Sequence, residues 1–164
     1  MDDAMDDDAG DTTDALTAVD GVLGVVDLVG FVREHADGVL TTVGPDGAPQ
    51  AAYLSLTATD SGELVLNARV GSRKVANVRR DARVAVVVGG MDGVTLQCEG
   101  RADLPAGLEL DRCAAAYVRT FPQFASSGTD SEKVVLRVKV AWARLGDYRV
   151  SPPLVRELCL PVTG

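Results

Sequence analysis

The 164-residue sequence predicts a mainly β protein with short helices, a six-stranded Greek-key barrel. Three observations lead to it. About six extended segments follow one another closely, strong turn signals separate several of them, and the helical stretches between them are short. An alternating βαβ sheet would need a longer helix after each strand. There is no internal repeat, and the length suits one core. Hydrophobic residues make up 46% of the chain and aromatic residues only 4%, so valine, alanine and leucine must fill that core.

The elements are predicted in order. Asp27 is the expected cap of a short helix carrying Leu28, Val29, Phe31 and Val32 that ends before Gly38. His35 falls in its last turn, where a polar or cationic side chain suits the helix dipole. Residues 38–43 form a strand, Gly44-Pro45-Asp46-Gly47 a turn, and 48–58 the returning strand of a hairpin. On that strand Leu54 and Leu56 face one way, and Tyr53, Ser55 and Thr57 the other. Asp60-Ser61-Gly62 turns the chain into a third strand, 63–68, and a short helix opens at Gly71-Ser72 and runs through Arg80. The nearly continuous apolar run 83–88 is read as a strand buried on both faces. Residues 95–104 form the next strand, with Cys98 among its core positions. Pro105 begins a helix with an apolar stripe of Leu110, Ala114, Tyr117, Val118 and Phe121. The last strand, 134–145, sets Leu136, Val138, Val140 and Trp142 against Arg137, Lys139, Ala141 and Ala143.

The net charge of −8 is uneven. Asp2, Asp3, Asp6, Asp7, Asp8, Asp11 and Asp14 precede every basic residue, and without them the chain is close to neutral. Residues 1–20 are therefore expected to be a disordered acidic tail, 21–150 the barrel and 151–164 a C-terminal extension. No charge excess steers the domain to nucleic acid. No apolar run spans a membrane, and no basic n-region marks a signal peptide, so a cytoplasmic location is expected. Cys98, Cys113 and Cys159 are too few and too scattered for a disulfide framework, and a single histidine excludes a Cys/His metal cluster.

The segment richest in chemistry is 67–77. Ser72 is the natural N-cap of its helix, so Arg73 and Lys74 occupy the first turn, where they oppose the dipole. A bound anion reverses that sign, because free N–H groups, dipole and two cations would converge on it. Phosphate fits this description. The alternative is that both side chains point into solvent.

In order and spacing, several segments resemble the pyridoxamine 5'-phosphate oxidase-like FMN-binding split β-barrels. These are the turn Gly44 to Pro49, the helix opening Gly71 to Asn77, Asp81 to Val84, and the strand Thr95-Leu96-Gln97-Cys98-Glu99-Gly100-Arg101-Ala102. The resemblance implies that Arg73 and Lys74 bind the FMN phosphate, supported by Ser72 and Asn77. It places Asn67 and Ala68 against the flavin, Tyr53, Leu54 and Ser55 along its ring, and Thr95 or Gln97 at the same pocket. It also implies a homodimer with flavin at the interface and a small-molecule substrate. The chain departs from the true oxidases at Ala52 and Thr57, where they carry arginine and lysine. It departs again at Phe121, where an arginine four residues after the tyrosine (here Tyr117) grips substrate phosphate. Their C-terminal R-x-H motif is absent from 151–164. Vitamin B6 oxidation is therefore not expected. The leading expectation is an FMN-dependent oxidoreductase whose catalytic residues the sequence does not name. The alternatives are a deazaflavin coenzyme, drawing also on Arg69, Arg79 and Arg80, a non-catalytic flavin- or heme-binding protein, and an empty barrel with an interaction role.

Overall fold

The computed structural model describes residues 21–129 and 131–160. The expected acidic tail and the last four residues of the expected C-terminal extension lie outside them. The elements are β1 (Gly21–Val22), α1 (Val25–His35), β2 (Asp37–Val43), β3 (Pro49–Ala58), β4 (Leu64–Arg69), α2 (Arg73–Arg80), β5 (Arg83–Gly89), β6 (Val94–Asp103), α3 (Gly107–Thr120), a 3₁₀ segment (Pro122–Thr129), β7 (Lys133–Asp147) and β8 (Leu154–Cys159).

Six strands close the barrel in the order β7-β4-β3-β2-β5-β6, with β6 pairing back onto β7. Every pairing in this ring is antiparallel. Closure leaves the ring without a free edge. The 15-residue β7 serves two neighbours along one side: β4 along Lys133–Val138, and β8 along Trp142–Asp147. β1 then adds to β8 in parallel.

Alternation fills the interior. Leu40, Leu56, Leu66, Val86, Leu96 and Leu136 are fully buried in one cluster. A smaller cluster of Val65, Cys113, Tyr117 and Phe121 lies outside the barrel wall, beneath α3. Cys98 belongs to the interior as expected, and burial pushes its thiol pKa up to about 12.

Four local expectations change. Gly24, not Asp27, is the N-cap of α1, and Asp27 accepts the Gly24 N–H from the helix's third position at 3.1 Å. β5 is buried on one face only: Val84, Val86 and Val88 point inward, while Arg83, Ala85 and Val87 line the outside. Trp142 leaves the inward set because the β6–β7 register shifts at Glu99/Gly100, giving β7 one extra residue, Ala141. The inward phase therefore passes from Val140 to Ala143. At this shift the strands come so close that a Cβ on Gly100 would lie 2.2 Å from the Lys139 carbonyl oxygen. Arg137, expected to alternate outward, is only 8% exposed. It makes a two-pronged pair with Asp103 at 3.0 and 2.7 Å and reaches Glu109 at 2.6 Å and Glu63 at 3.3 Å. Arg112 bridges Glu63 and Glu109, each at 2.6 Å, so this network ties α3 to the barrel wall.

Candidate functional site

The two ends of the barrel are closed differently. α1 packs at the end where β3 finishes, with Arg33 donating to the Ala58 carbonyl. α2 packs at the end where β2 turns into β3, with Arg80 donating to the Val43 carbonyl. The ten residues of β3 separate these ends, a distance of about 30 Å.

The site at the α2 end is built on the hairpin. The turn centred on Asp46 pairs Thr42 with Gln50. Asn77, 2% exposed, donates from Nδ2 to Thr42 Oγ1 at 2.9 Å and to Gln50 Oε1 at 3.0 Å. The same Gln50 oxygen accepts from Arg73 Nε at 3.0 Å. Asn77 thus fixes Gln50, Gln50 fixes Arg73, and the terminal guanidinium nitrogens of Arg73 stay available. Thr42, Pro49, Gln50, Ala51, Ala52, Arg73 and Lys74 line a cavity of about 430 Å³. Arg69, Val70, Gly71, Ser72 and Glu132 line a second one of about 370 Å³ on the other side of the helix start.

Two observations make this end a candidate anion site. Ser72 takes the N-cap position with extended backbone, yet its hydroxyl does not cap the helix. That oxygen is sealed from solvent and has no hydrogen-bond partner, and a buried hydroxyl left unpaired costs roughly 1–3 kcal/mol. The second observation is the charge distribution. Among the described residues Arg69, Lys74 and Arg79 have no ion-pair partner, and Arg73 and Arg80 bond only neutral acceptors. Elsewhere Arg33, Arg83, Arg112, Arg137, Arg149 and Arg156 each meet a carboxylate. Cations gathered at a helix start without ion-pair partners, with Glu132 as the carboxylate lining the cavity beside Ser72, suit a phosphate.

The other expected residues distribute as follows. Asn67 faces outward on β4 and lines a cavity beneath α3. Ala68 turns its methyl into the core, leaving only its backbone for a ligand. Tyr53, 72% exposed, and Ser55 stand on the outer face of β3, while Leu54 packs against the core. The neighbouring Asp37 carboxylate raises the pKa of the Tyr53 phenol. Thr95 and Gln97 face outward on β6, which lies three strands from β3 either way round the ring, so within one chain they point away from Tyr53 on the opposite wall. Sequence reasoning missed Thr42 and Gln50, although a hairpin centred on Asp46 already sets them opposite each other.

His35 lies at the α1 end. Its Nδ1 is 3.0 Å from the Phe31 carbonyl, its Nε2 is 3.7 Å from Asp92, and its ring stacks on Phe31. No group of three or more His, Cys, Asp or Glu side chains suited to a metal ion occurs among the described residues. Nor is any described helix long and apolar enough to cross a membrane.

Comparison with known proteins agrees with this architecture. Residues 27–146 match the family model for pyridoxamine 5'-phosphate oxidase, and the chain belongs to that family. Among curated proteins no sequence matches. Among solved structures, a heme binding protein from Mycobacterium smegmatis superposes with a TM-score of 0.70 at 16% identity, covering 84% of this chain and 58% of that one. This chain is thus well short of that protein's full length. A putative pyridoxamine 5'-phosphate oxidase from Listeria innocua superposes at 0.59 with 24% identity, covering 74% and 96%. The heme storage protein HutZ of Vibrio cholerae superposes at 0.60 with 14% identity, covering 68% and 85%. Identities this low establish a shared barrel and no shared ligand.

Proposed function

We propose that this protein is an FMN-binding flavoprotein, an oxidoreductase acting on a small molecule as a homodimer with flavin at the subunit interface. The observation that carries the reading is the pair of cations Arg73 and Lys74, neither in an ion pair among the described residues, at the start of α2 beside Ser72, whose enclosed hydroxyl would turn outward to meet the phosphate. These three residues would hold the phosphate, with Gln50, Thr42 and Asn77 keeping Arg73 in place. The bound flavin supplies hydride or electron transfer. The chain's part is to hold the flavin, orient it and shape access to it.

The exposed wall of the barrel supports the dimer. Tyr53 and Val87 flank Val39 across neighbouring strands, and Ala51 and Ala85 flank Thr41. These residues form an outward face without charge, on which Tyr53 and Val87 are 72% and 41% exposed. A second copy seated there brings its own Thr95 and Gln97 towards the first copy's flavin. A cytoplasmic location belongs to the same proposal.

The protein is not proposed to oxidise vitamin B6. Ala52 offers no cation, Thr57 is buried and bonded to Thr120 at 2.6 Å, and Phe121 packs on Tyr117 with ring centroids 4.7 Å apart.

One observation favours a second reading, a deazaflavin coenzyme. Arg69 and Arg79, unpaired among the described residues, offer extra cations to a longer anionic chain. Heme fits less well, because the single histidine is packed between Phe31 and Asp92 at the far end of the barrel.

The deciding experiment is to purify the protein, release any chromophore by denaturation and identify it by absorbance and mass, then titrate the stripped protein with FMN, the deazaflavin coenzyme and heme. Preferred retention of FMN supports the proposal. Uptake of heme or the deazaflavin coenzyme with no affinity for FMN overturns it.

A further inference from the structure

The acidic N-terminal segment plays no part in the flavin reading. Asp2, Asp3, Asp6, Asp7, Asp8, Asp11 and Asp14 have no cation among them, and the first basic residue of the chain is Arg33. The segment lies outside the described residues, but its charge and its length are fixed by the sequence. Like charges this close repel one another until cations meet them.

The folded part offers such cations, and gathers them at one end. Among the described residues Arg69, Arg73, Lys74, Arg79, Arg80 and Arg101 stand in no ion pair, whereas every other described arginine meets a carboxylate. All of these unpaired cations lie around α2. Arg69 closes β4 just before the helix, Arg73, Lys74, Arg79 and Arg80 are on it, and Arg101 stands directly opposite Arg83 in the β5–β6 pairing. Like charges set opposite each other are unfavourable unless an anion is near. The Ala102 amide donates to the Ala82 carbonyl at 2.7 Å, which holds that end of β6 against the exit of α2. Lys133 and Lys139, close by, have partners of their own. Carboxylates are fewer here. Asp81 is taken up by Arg83 at 2.6 Å, and Asp46, Glu99 and Glu132 still leave the rim with an excess of positive charge.

Length decides which aspartates can arrive. Gly21 is held at the α1 end, paired with Arg156 on β8, and α2 lies about 30 Å away at the other end of the barrel. An extended chain advances at most about 3.5 Å per residue. Measured from Gly21, Asp14 can reach about 25 Å and falls short, and Asp11 at about 35 Å barely spans the gap. Asp8 at about 45 Å and Asp2 at about 65 Å arrive with slack for the curve of the barrel. The tether also holds them at an effective concentration on the order of millimolar, so contacts that are weak singly act together.

We infer that residues 2–8 of this chain dock on the cationic rim around α2, against Arg69, Lys74, Arg79, Arg80 and Arg101, and compete there with a bound phosphate. The aspartates act as a tethered stand-in that a phosphate-bearing ligand must displace. Docking does not depend on the flavin reading above, whereas competition with FMN rests on it.

The test is zero-length cross-linking of the full-length protein with a carbodiimide, which joins an aspartate carboxylate directly to a lysine amine, read by peptide mass spectrometry. At about 20 mM NaCl residues 2–8 are expected to couple to Lys74, and at about 1 M, where the screening length is about 3 Å, the coupling should vanish. Arg69→Ala/Arg79→Ala removes two side chains that make no hydrogen bond or ion pair among the described residues, and should lower the yield several-fold. Asp2→Asn/Asp3→Asn/Asp6→Asn/Asp7→Asn/Asp8→Asn should tighten FMN binding about 3- to 30-fold at low salt and leave riboflavin unchanged. Asp11→Asn/Asp14→Asn should have far less effect. Mixing isotopically labelled with unlabelled chains shows whether the coupling lies within one chain. Absence of coupling to Lys74 at low salt overturns the inference, as does coupling confined to pairs of different chains. So does a five-asparagine variant that binds FMN no more tightly than a wild type that binds it. Coupling in a protein with no affinity for FMN removes the flavin reading and keeps the docking, and FMN binding without coupling does the reverse.

Discussion

Removing Arg73 and Lys74 together is the most direct challenge to the proposed phosphate cradle. Arg73 spends its Nε on Gln50 and keeps its terminal nitrogens, and Lys74 is uncommitted among the described residues. Each therefore offers a phosphate one charge-assisted contact, worth about 1.5–3 kcal/mol. The double alanine variant should lose about 3–6 kcal/mol, which raises the FMN Kd roughly 10²- to 10⁴-fold. Riboflavin lacks the phosphate, so its affinity should barely move. The ratio of FMN to riboflavin affinity is the quantity to measure, by fluorescence titration of stripped protein. Folding should not suffer, because two cations leave a first turn whose dipole they oppose, a change worth a few tenths of a kcal/mol in the opposite direction. A double variant that keeps the wild-type FMN-to-riboflavin ratio while remaining folded would refute the reasoning.

Arg137→Ala should destabilise the protein by about 1–3 kcal/mol in urea titration, because it removes a buried guanidinium from Glu63, while Asp103 and Glu109 keep access to water; no measurable loss would show that the network is not holding α3. Gly100→Ala should abolish soluble folded protein, since its Cβ meets backbone at 2.2 Å. Gly30→Ala, with open space on α1, should raise stability by up to about 1 kcal/mol, and thermal melts of the pair check both. In acid, hydrogen bonding to Arg112 holds Glu109 below its ordinary 4.5. Burial pushes Glu63 up, but its bonds to Arg112, Ser61 and Thr59 outweigh that and leave it lowered, and Arg83 and Arg149 hold Asp81 and Asp147 at about 2. Folded values below the unfolded ones stabilise fully above the unfolded pKa and lose that effect as pH falls through the folded pKa. The urea midpoint should therefore drop between pH 4.5 and about 2, and Glu63→Gln should flatten the fall; a midpoint that rises on acidification contradicts the assignment.

Alternation and turn chemistry made the six barrel strands legible, each to within about two residues, because both signals are local. What escaped was set by distant chain. Trp142 changes sides because closing β6 onto β7 inserts one residue, and nothing near Trp142 encodes that. Arg137 reads as a solvent-facing charge until Asp103, Glu63 and Glu109 arrive from three other parts of the chain. β8 hides behind Pro152 and Pro153 in a stretch read as an extension. At the candidate site, the helix opening singled out Arg73, Lys74 and Asn77 in the sequence. Thr42 and Gln50, which hold Asn77 and Arg73, needed the hairpin register.

The length of β7 has a consequence for how this fold meets other molecules. Its first half is fastened by β4 and its second half by β8, so the ring can close without the C-terminal strand, but the stretch Trp142–Asp147 would then present bare amides and carbonyls along one flank. A chain clipped after Val150 would keep its cavities and acquire an adhesive border, ready to recruit a strand from whichever polypeptide came first.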